Sequence, residues 1–408
     1  MAQTSYPKSK IRVELFEKIH PAAVNLLRTE RFQVSMGEAA ANDRLLAQAL
    51  KTAHGLGIRS RTKLTARRIE GARRLLVVGC FCVGTNNVDL EAATRAGIPV
   101  FHAPHSSTRS VAELTIGLLL ALSRRVAEMS WNTRRGHWTK TAEGSYELRG
   151  KTLGIVGYGH IGAQVSVLAE SLGMRVVFHD VLDRQPLGNA RPVGSLDILL
   201  RESDFVTLHV PGGSGTYRLI GRKELRSVKV GSFLVNTSRG SVIDEKALDE
   251  ALTRGRLGGV ALDVLDIEPS SPHARLRNEL LRHPCVLVTP HMGGNTVEAQ
   301  ERIARSVATK MVRFINEGAT VGAVNFPQVD LPRTPETHRV MHIHKNVPGV
   351  LSSVNGILSR LGANVESQFL KTNELVGYLV VDIDRNVSAD VLKALTELPE
   401  TLRARRLF

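Results

Sequence analysis

Residues 151–180 read KTLGIVGYGHIGAQVSVLAESLGMRVVFHD, and the fold follows from this stretch. Leu153–Val156 is a short run of branched apolar residues, the pattern of a strand buried on both faces. Gly157, Gly159 and Gly162 follow at G-x-G-x-x-G spacing. A helical pattern then runs to Leu172, and a second strand, Arg175–His179, ends in Asp180. The first glycine permits a tight turn, the second lets a pyrophosphate approach the backbone, and the third lets the helix pack against its strand. The helix N-terminus offers N–H groups and partial positive charge to the phosphates. Asp180, 18 residues beyond Gly162, is placed to accept hydrogen bonds from an adenosine ribose. A carboxylate there repels a 2′-phosphate, so the expected cofactor is NAD rather than NADP. The glycine spacing alone is weak evidence; strand, helix, second strand and acidic residue in order make it strong.

Composition sets the wider bounds. The chain has 408 residues, a formal charge of +15 and three cysteines, Cys80, Cys82 and Cys285. That length predicts two or three domains with ample core. The cysteines suit neither a disulfide framework nor a zinc site, so a reducing cytoplasm and no metal are expected. The opening residues carry no apolar signal core, and no run is apolar enough to span a membrane. The positive charge is scattered in pairs such as Arg67-Arg68 and Arg134-Arg135, and aromatic residues are only 4%. A nucleic-acid partner is therefore not expected; an anionic substrate or a solvated basic surface explains the charge better.

Working outward, residues 11–105 alternate strands (Arg12–Leu15, Leu56–Arg59, Leu75–Val78, Pro99–His102) with helices (Pro21–Leu27, Thr65–Gly71, Asp89–Ala96). Alternation of this kind predicts a parallel sheet with helices on both faces. Ser106, Ser107 and Thr108 are N-cap candidates for an apolar helix, Val111–Leu122, expected to cross between two units. Past the fingerprint, strands are expected at Phe205–Val210, Ser232–Asn236, Gly259–Val264 and Val286–Thr289. Helices are expected at Leu196–Arg201, Glu224–Ser227 and Glu245–Arg254. A long amphipathic helix, Val297–Ile315, would return the chain to the first unit. Residues 327–337 hold three prolines and read as a linker. Beyond it, strands at His338–His344, Asn364–Leu370, Leu375–Ile383 and Leu402–Phe408 and helices at Pro348–Leu361 and Ser388–Leu398 give the order β-α-β-β-α-β, the ferredoxin-like arrangement. The expected fold is α/β: two doubly wound, Rossmann- or flavodoxin-like parallel-sheet domains and a ferredoxin-like one. The expected domains are 1–106 with 296–332 for substrate, 107–295 for NAD, and 337–408 for regulation.

Three polar residues stand at the carboxyl ends of strands of the nucleotide unit, where open α/β sheets bind ligands: Arg239, Glu268 and His291. Their types suit oxidation of an alcohol to a ketone. Hydride leaves carbon for a nicotinamide while a base takes the hydroxyl proton, and imidazole titrates in the right range. Glu268 would orient that imidazole, and Arg239 would hold a substrate carboxylate through a bidentate fork and polarise the carbonyl. Each residue alone reads more readily as a surface turn or loop charge; together with the fingerprint they read as a site.

The segments GYGHIG, NTSRGSVID, DIEP and TPHMGG resemble those of the D-isomer-specific 2-hydroxyacid dehydrogenases. IRSRTKLT, GCFCVGTNNVDL, HSSTRSVAEL and MHIHKNVPGVL resemble, within that family, the bacterial members that oxidise 3-phosphoglycerate and carry a C-terminal ACT domain. The resemblance implies NAD-dependent oxidation of 3-phospho-D-glycerate to 3-phosphohydroxypyruvate, the first step of phosphorylated serine biosynthesis. It also implies inhibition by L-serine, a homotetramer, and reduction of 2-oxoglutarate as a side activity. Carried over by position, the catalytic set is Arg239, Glu268 and His291. The cofactor contacts are Gly157, Gly159, His160, Ile161, Gly162, Asp180, Thr237, Ser238, Arg239, Asp263, His291, Met292, Gly293 and Gly294. Arg59, Arg61, Val83, Gly84 and Lys140 fall at substrate positions, and His344, Asn346 and Asn364 at serine positions, the last three expected at one sheet edge where two copies meet. Two departures stand out. Ser107 replaces an Asn, and Thr334–Thr337 occupies the place of a Gly-Gly hinge. Other readings are a dehydrogenase for a different D-2-hydroxyacid and an NAD-sensing scaffold of the corepressor kind.

Overall fold

Three sheets carry the chain. The structure is a computed structural model and describes residues 6–37, 40, 42–269 and 274–407. The first sheet is parallel and contains β1 (Arg12–Leu15), β2 (Gln33–Met36), β3 (Gly55–Ile58), β4 (Val77–Cys80) and β5 (Val100–Phe101), in the order β2-β1-β3-β4-β5. The second, also parallel, contains β6 (Thr152–Val156), β7 (Arg175–His179), β8 (Arg191–Pro192), β9 (Phe205–Leu208), β10 (Ser232–Asn236), β11 (Leu257–Leu262) and β12 (Val286–Val288). Its order is β12-β11-β10-β9-β6-β7-β8. The third is antiparallel, β14-β15-β13-β16, from β13 (His338–Lys345), β14 (Val365–Thr372), β15 (Val376–Ile383) and β16 (Thr401–Arg406). Every residue of β3, β4, β6, β9 and β10 is buried, which is why these strands read as unbroken apolar runs rather than alternating ones.

The chain divides into two compact units, Met1–Ser106 with Val297–Phe408, and Ser107–Thr296. The apolar helix expected to cross between units spans Thr108–Ser123 and lies wholly within the second. Leu118, Leu119 and Leu122 bury with Leu153, Ile155 and Val235 from β6 and β10, and that packing fixes its place. Ser107 is its N-cap by position, but its side chain makes no capping hydrogen bond.

In the first unit, helix Val297–Glu317 buries one face (Ile303, Val307, Met311, Phe314) against Val13, Val77 and Phe101 of the parallel sheet. The C-terminal sheet is covered on both sides. Val340, Leu379 and Val381 face helices Val350–Arg360 and Ser388–Thr396. The alternate residues Met341, Ile343, Tyr378 and Val380 join the core that contains Phe314, Ile315 and Phe326. A buried ion pair, Arg339 Nε to Asp382 Oδ1 at 2.7 Å, sits at the same junction. Arg339 also donates to the carbonyls of Leu331 (2.7 Å) and Pro332 (2.8 Å), tying down the segment read as a linker.

Several elements differ from the sequence expectation. Strand β2 and helix Asp43–Thr52 were not anticipated: β2 is largely exposed, so it has no apolar run to advertise it. Strand β4 starts two residues later than expected, at Val77, and β11 starts two earlier, at Leu257. Helix Val126–Arg134 was also not anticipated and buries no residue. The C-terminal helix expected from Pro348 starts at Val350, and Phe408 lies outside the described residues.

Candidate functional site

The strand order of the second sheet reverses at β6, which has β9 on one side and β7 on the other. The glycine turn leaves β6 at this switch point, where doubly wound sheets bind ligands. Gly157 has φ +90°, and a Cβ there would stand 2.7 Å from the His209 carbonyl oxygen. A Cβ at Gly162 would run into the Gly157 carbonyl oxygen. A Cβ at Gly159 would meet nothing within 4 Å. Two glycines are therefore demanded by the protein itself, while the third leaves open space beside the backbone, as a pyrophosphate requires. Helix His160–Ser171 starts here with Gly159 as N-cap and no capping side chain. His160 and Ile161 stand in its first turn, at the helix end where the macrodipole favours an anion.

Asp180 follows β7 and its side chain is 10% exposed. The N–H of Tyr158 donates to Oδ2 at 2.8 Å and that of Leu182 to Oδ1 at 2.9 Å. Arg184 Nε stands 3.5 Å from Oδ2, a cation that the sequence reading did not weigh. His209, after β9, has its imidazole pushed down to about 3 by burial, so it is neutral.

Past β10, Asn236 is fully buried and shapes the next turn. Its Oδ1 accepts from the N–H of Ser238 (3.0 Å) and from its hydroxyl (2.7 Å), and its Nδ2 donates to the Arg239 carbonyl (2.9 Å). The Thr237 hydroxyl meets Thr115 at 3.0 Å. Arg239 is half-buried and donates through Nη1 to the Ser238 carbonyl at 2.7 Å. Gly240 must be glycine, because a Cβ would overlap the Leu265 backbone. This close approach brings the Arg239 turn against the exit of β11.

Asp263, 2% exposed, plays the same shaping part beyond β11. Its carboxylate accepts from the Thr289 hydroxyl (2.6 Å), the Met292 N–H (2.9 Å) and the Gly293 N–H (2.8 Å). The Asp263 carbonyl accepts from the His291 N–H at 2.9 Å. Asp263 therefore builds the turn that carries His291 to Gly294, a function the sequence reading did not assign to it. His291 itself has φ +50°, a left-handed backbone that a side chain rarely adopts. The strain places its Nδ1 2.9 and 3.0 Å from the two Glu268 oxygens. A carboxylate oxygen accepts, so Nδ1 is the ring nitrogen that donates. Both side chains are open, 51% for His291 and 40% for Glu268. Arg239, Glu268 and His291 thus follow consecutive neighbouring strands, β10, β11 and β12.

The first unit holds four of the substrate candidates. Arg59 is half-buried and Arg61 exposed, in the turn after β3. The Val83–Gly84 turn follows β4. His102 Nδ1 lies 2.7 Å from the Val83 carbonyl, the Cys82 thiol donates to the Gly84 carbonyl at 3.0 Å, and no atom lies within 4 Å of a Cβ at Gly84. Burial pushes the Cys82 thiol up to about 11, so it is no nucleophile at neutral pH. Lys140 is exposed in a loop of the second unit, with no contact recorded that fixes it at a site.

The three residues expected at one sheet edge do not meet within one chain. His344 pairs with Gly377, which pairs with Thr372 of β14; Asn364 precedes Val365, which pairs with Ile383 opposite His338. Asn346 and Asn364 are therefore at opposite ends of the sheet. The helix between β13 and β14 returns the chain to where β13 began, so the end of one strand and the start of the next are a strand length apart. His344 is 4% exposed with Nδ1 2.8 Å from the Lys345 carbonyl. Asn346 donates to the Asn373 carbonyl (2.7 Å) and Asn364 to the Glu366 carboxylate at 3.0 Å.

Comparison with known proteins agrees with this architecture. The family model described as "D-isomer specific 2-hydroxyacid dehydrogenase, NAD binding domain" matches residues 116–293, and the "AHAS small subunit-like ACT domain" model matches residues 340–403. The D-3-phosphoglycerate dehydrogenase of Escherichia coli K12 is 47% identical over 411 aligned residues, covering 100% of both chains. That of Dictyostelium discoideum is 44% identical, covering 99% of both. Among solved structures, a D-lactate dehydrogenase from Aquifex aeolicus complexed with NAD and lactic acid superposes with a TM-score of 0.67 at 27% identity, covering 78% of this chain and 100% of that one. With that identity over its whole length, the chain belongs to the D-isomer-specific 2-hydroxyacid dehydrogenase family, NAD-dependent oxidoreductases, among the members that bear the name D-3-phosphoglycerate dehydrogenase.

Proposed function

We propose that the chain oxidises 3-phospho-D-glycerate to 3-phosphohydroxypyruvate with NAD, opening the phosphorylated route to serine. The observation that carries the chemistry is the His291–Glu268 contact at 2.9 Å, three and four strand ends along from the glycine turn. Arg239 holds the substrate carboxylate. His291 Nε2 takes the hydroxyl proton while Glu268 keeps the opposite ring nitrogen protonated and the ring in place. The C–O bond becomes a carbonyl as the carbon gives up its hydride. The Gly157–Gly162 turn, the first turn of helix His160–Ser171 and Asp180 would hold NAD, which would supply the hydride acceptor. The phosphate falls to Arg59 and Arg61, and the carboxylate is met also by the backbone at Val83–Gly84. The full-length identity to proteins of that name supports this substrate over other 2-hydroxyacids. The same reading places the chain in the cytoplasm, where its three free cysteines stay reduced.

Regulation follows from the C-terminal sheet. Strand β14 is an edge strand of eight residues with both faces largely exposed. Such an edge is a template for pairing with another chain. Two copies pairing β14 antiparallel would bring Asn364 of one beside His344 and Asn346 of the other, so L-serine binds between subunits and bridges them. Helix Val126–Arg134, with no buried residue, Trp131 62% exposed and Trp138 nearby at 85%, supplies a second self-contact. Two different two-fold contacts make a tetramer.

The test is His291→Ala. Turnover of 3-phosphoglycerate should fall about a hundredfold or more while NADH binding is kept, because a proton acceptor is lost and the dinucleotide turn is not. Near-normal turnover would reject the site. In the same preparation of wild type, L-serine should inhibit, and Asn364→Ala should lose the inhibition and keep the rate.

A further inference from the structure

We infer that Glu17 and Asn87 are positioning residues for the substrate. Together they hold Arg59–Thr62 in the shape that presents Arg59 and Arg61 to the substrate phosphate. The inference rests on the proposed phosphate role of those two arginines. Segment 59–62 lies between β3 and the next helix, and the described residues give it no ladder or helix of its own. Its backbone groups are met by side chains instead. Glu17, 8% exposed, accepts from the N–H of Arg59 (3.1 Å) and Thr62 (2.9 Å) through Oε1 and from that of Arg61 (3.0 Å) through Oε2. Asn87 answers from the acceptor side: its Nδ2 donates to the carbonyls of Arg59 (2.7 Å) and Thr62 (2.6 Å). Both N–H and C=O groups of the turn are thus gripped by residues far away in sequence.

The geometry around Glu17 shows that the grip is specific. Glu17 has φ +66° and Lys18 φ +50°, two successive non-glycine residues in the left-handed region. Side chains rarely adopt that backbone, and it persists where surrounding contacts hold it. Here it turns the Glu17 carboxylate onto the three N–H groups. A charged acceptor with three donors is among the stronger arrangements available to a buried carboxylate. A substrate-binding turn fixed before the substrate arrives avoids ordering cost on binding, which is the basis of preorganisation.

The experiment compares Glu17→Gln, Asn87→Asp and Arg59→Ala in the full-length protein. Glutamine keeps the shape but sets an amide N–H₂ against backbone N–H, donor facing donor. Aspartate at 87 sets an acceptor against two carbonyls, attacking the same turn from the other side. Both should raise KM for 3-phosphoglycerate about tenfold or more, the effect of losing the hydrogen bonds that shape the turn. They should leave kcat and the Kd for NADH within about twofold, since the reacting groups and the dinucleotide turn are untouched. The KM for D-glycerate, the same molecule without its phosphate, should move less. Thermal melting checks that each variant folds; should Glu17→Gln fail, Asn87→Asp carries the test alone. An unchanged 3-phosphoglycerate KM in folded Asn87→Asp or Glu17→Gln, with Arg59→Ala raising it, overturns the positioning role and spares the arginines. No effect of Arg59→Ala overturns the phosphate reading, and this inference with it.

Discussion

In the turn after β6, two glycines do the shaping; in the turn after β3, side chains from 25 to 45 residues away do it. Both turns leave the carboxyl end of a central parallel strand, and both are read here as anion sites. The Gly157–Gly162 turn takes its form from what glycine lacks: positive φ at Gly157 and absence of a Cβ at Gly162. The Arg59–Thr62 turn contains no glycine, and Glu17 and Asn87 hold its backbone N–H and C=O groups. The lesson is that a local device is visible in sequence while a device assembled from distant residues is not. The two also differ in what can break them. A methyl group is enough for the first, whereas the second needs the loss of a hydrogen-bond pattern.

Gly162→Ala should give the largest effect. Its new methyl meets a carbonyl, which cannot move without disturbing β6, so the cost should be on the order of 1–3 kcal/mol with NAD affinity lost along with the turn. A melting temperature and NADH titration equal to wild type would show that helix and strand do not approach as described. Gly159→Ala sharpens the contrast. Its methyl enters open space and its φ of −83° is ordinary, so stability should stay within about 0.5 kcal/mol. NADH affinity should still drop, since the space is where the pyrophosphate would come; an unchanged affinity would separate that glycine from the cofactor.

A separate prediction concerns acid. His209 lies behind the glycine turn with its imidazole pushed down to about 3 by burial, and His342 in the C-terminal sheet is pushed down to about 4 by burial and the neighbouring His344. Both are neutral when folded, while an unfolded imidazole takes up a proton near pH 6.5. Their contribution is therefore complete above about pH 6.5 and is lost as pH falls toward the folded values. The slope is about 1.4 kcal/mol per pH unit for each ring, so thermal stability should fall between pH 7 and 5, and His342→Gln should make the fall shallower. A flat profile over that range would mean that neither ring is shielded from water.

The sequence was most legible where function is written locally. Residues 153–156, 175–179 and 232–236 were placed because buried parallel strands are plain apolar runs between turns. Arg239, Glu268 and His291 were singled out by the same logic, each just past such a run. Exposed elements such as β2 and helix Val126–Arg134 escaped because they bury too little to show a pattern. Asp263 was legible as a site residue but not as the carboxylate that folds the His291 turn, since that depends on contacts 26 to 30 residues on. The adjacency expected for His344, Asn346 and Asn364 within one chain fails for a topological reason: the turn after β13 and the start of β14 look adjacent across one helix, yet a helix crossing separates them by the full strand.

The central claim, that this site works on a phosphorylated 2-hydroxyacid, is tested most directly by initial rates of NADH formation from 3-phosphoglycerate and from D-glycerate at matched concentrations. The account predicts a kcat/KM about a hundredfold or more higher for 3-phosphoglycerate, the advantage of two arginines on a phosphate, with Arg59→Ala reducing that ratio. Equal efficiencies, or D-glycerate preferred, would contradict it.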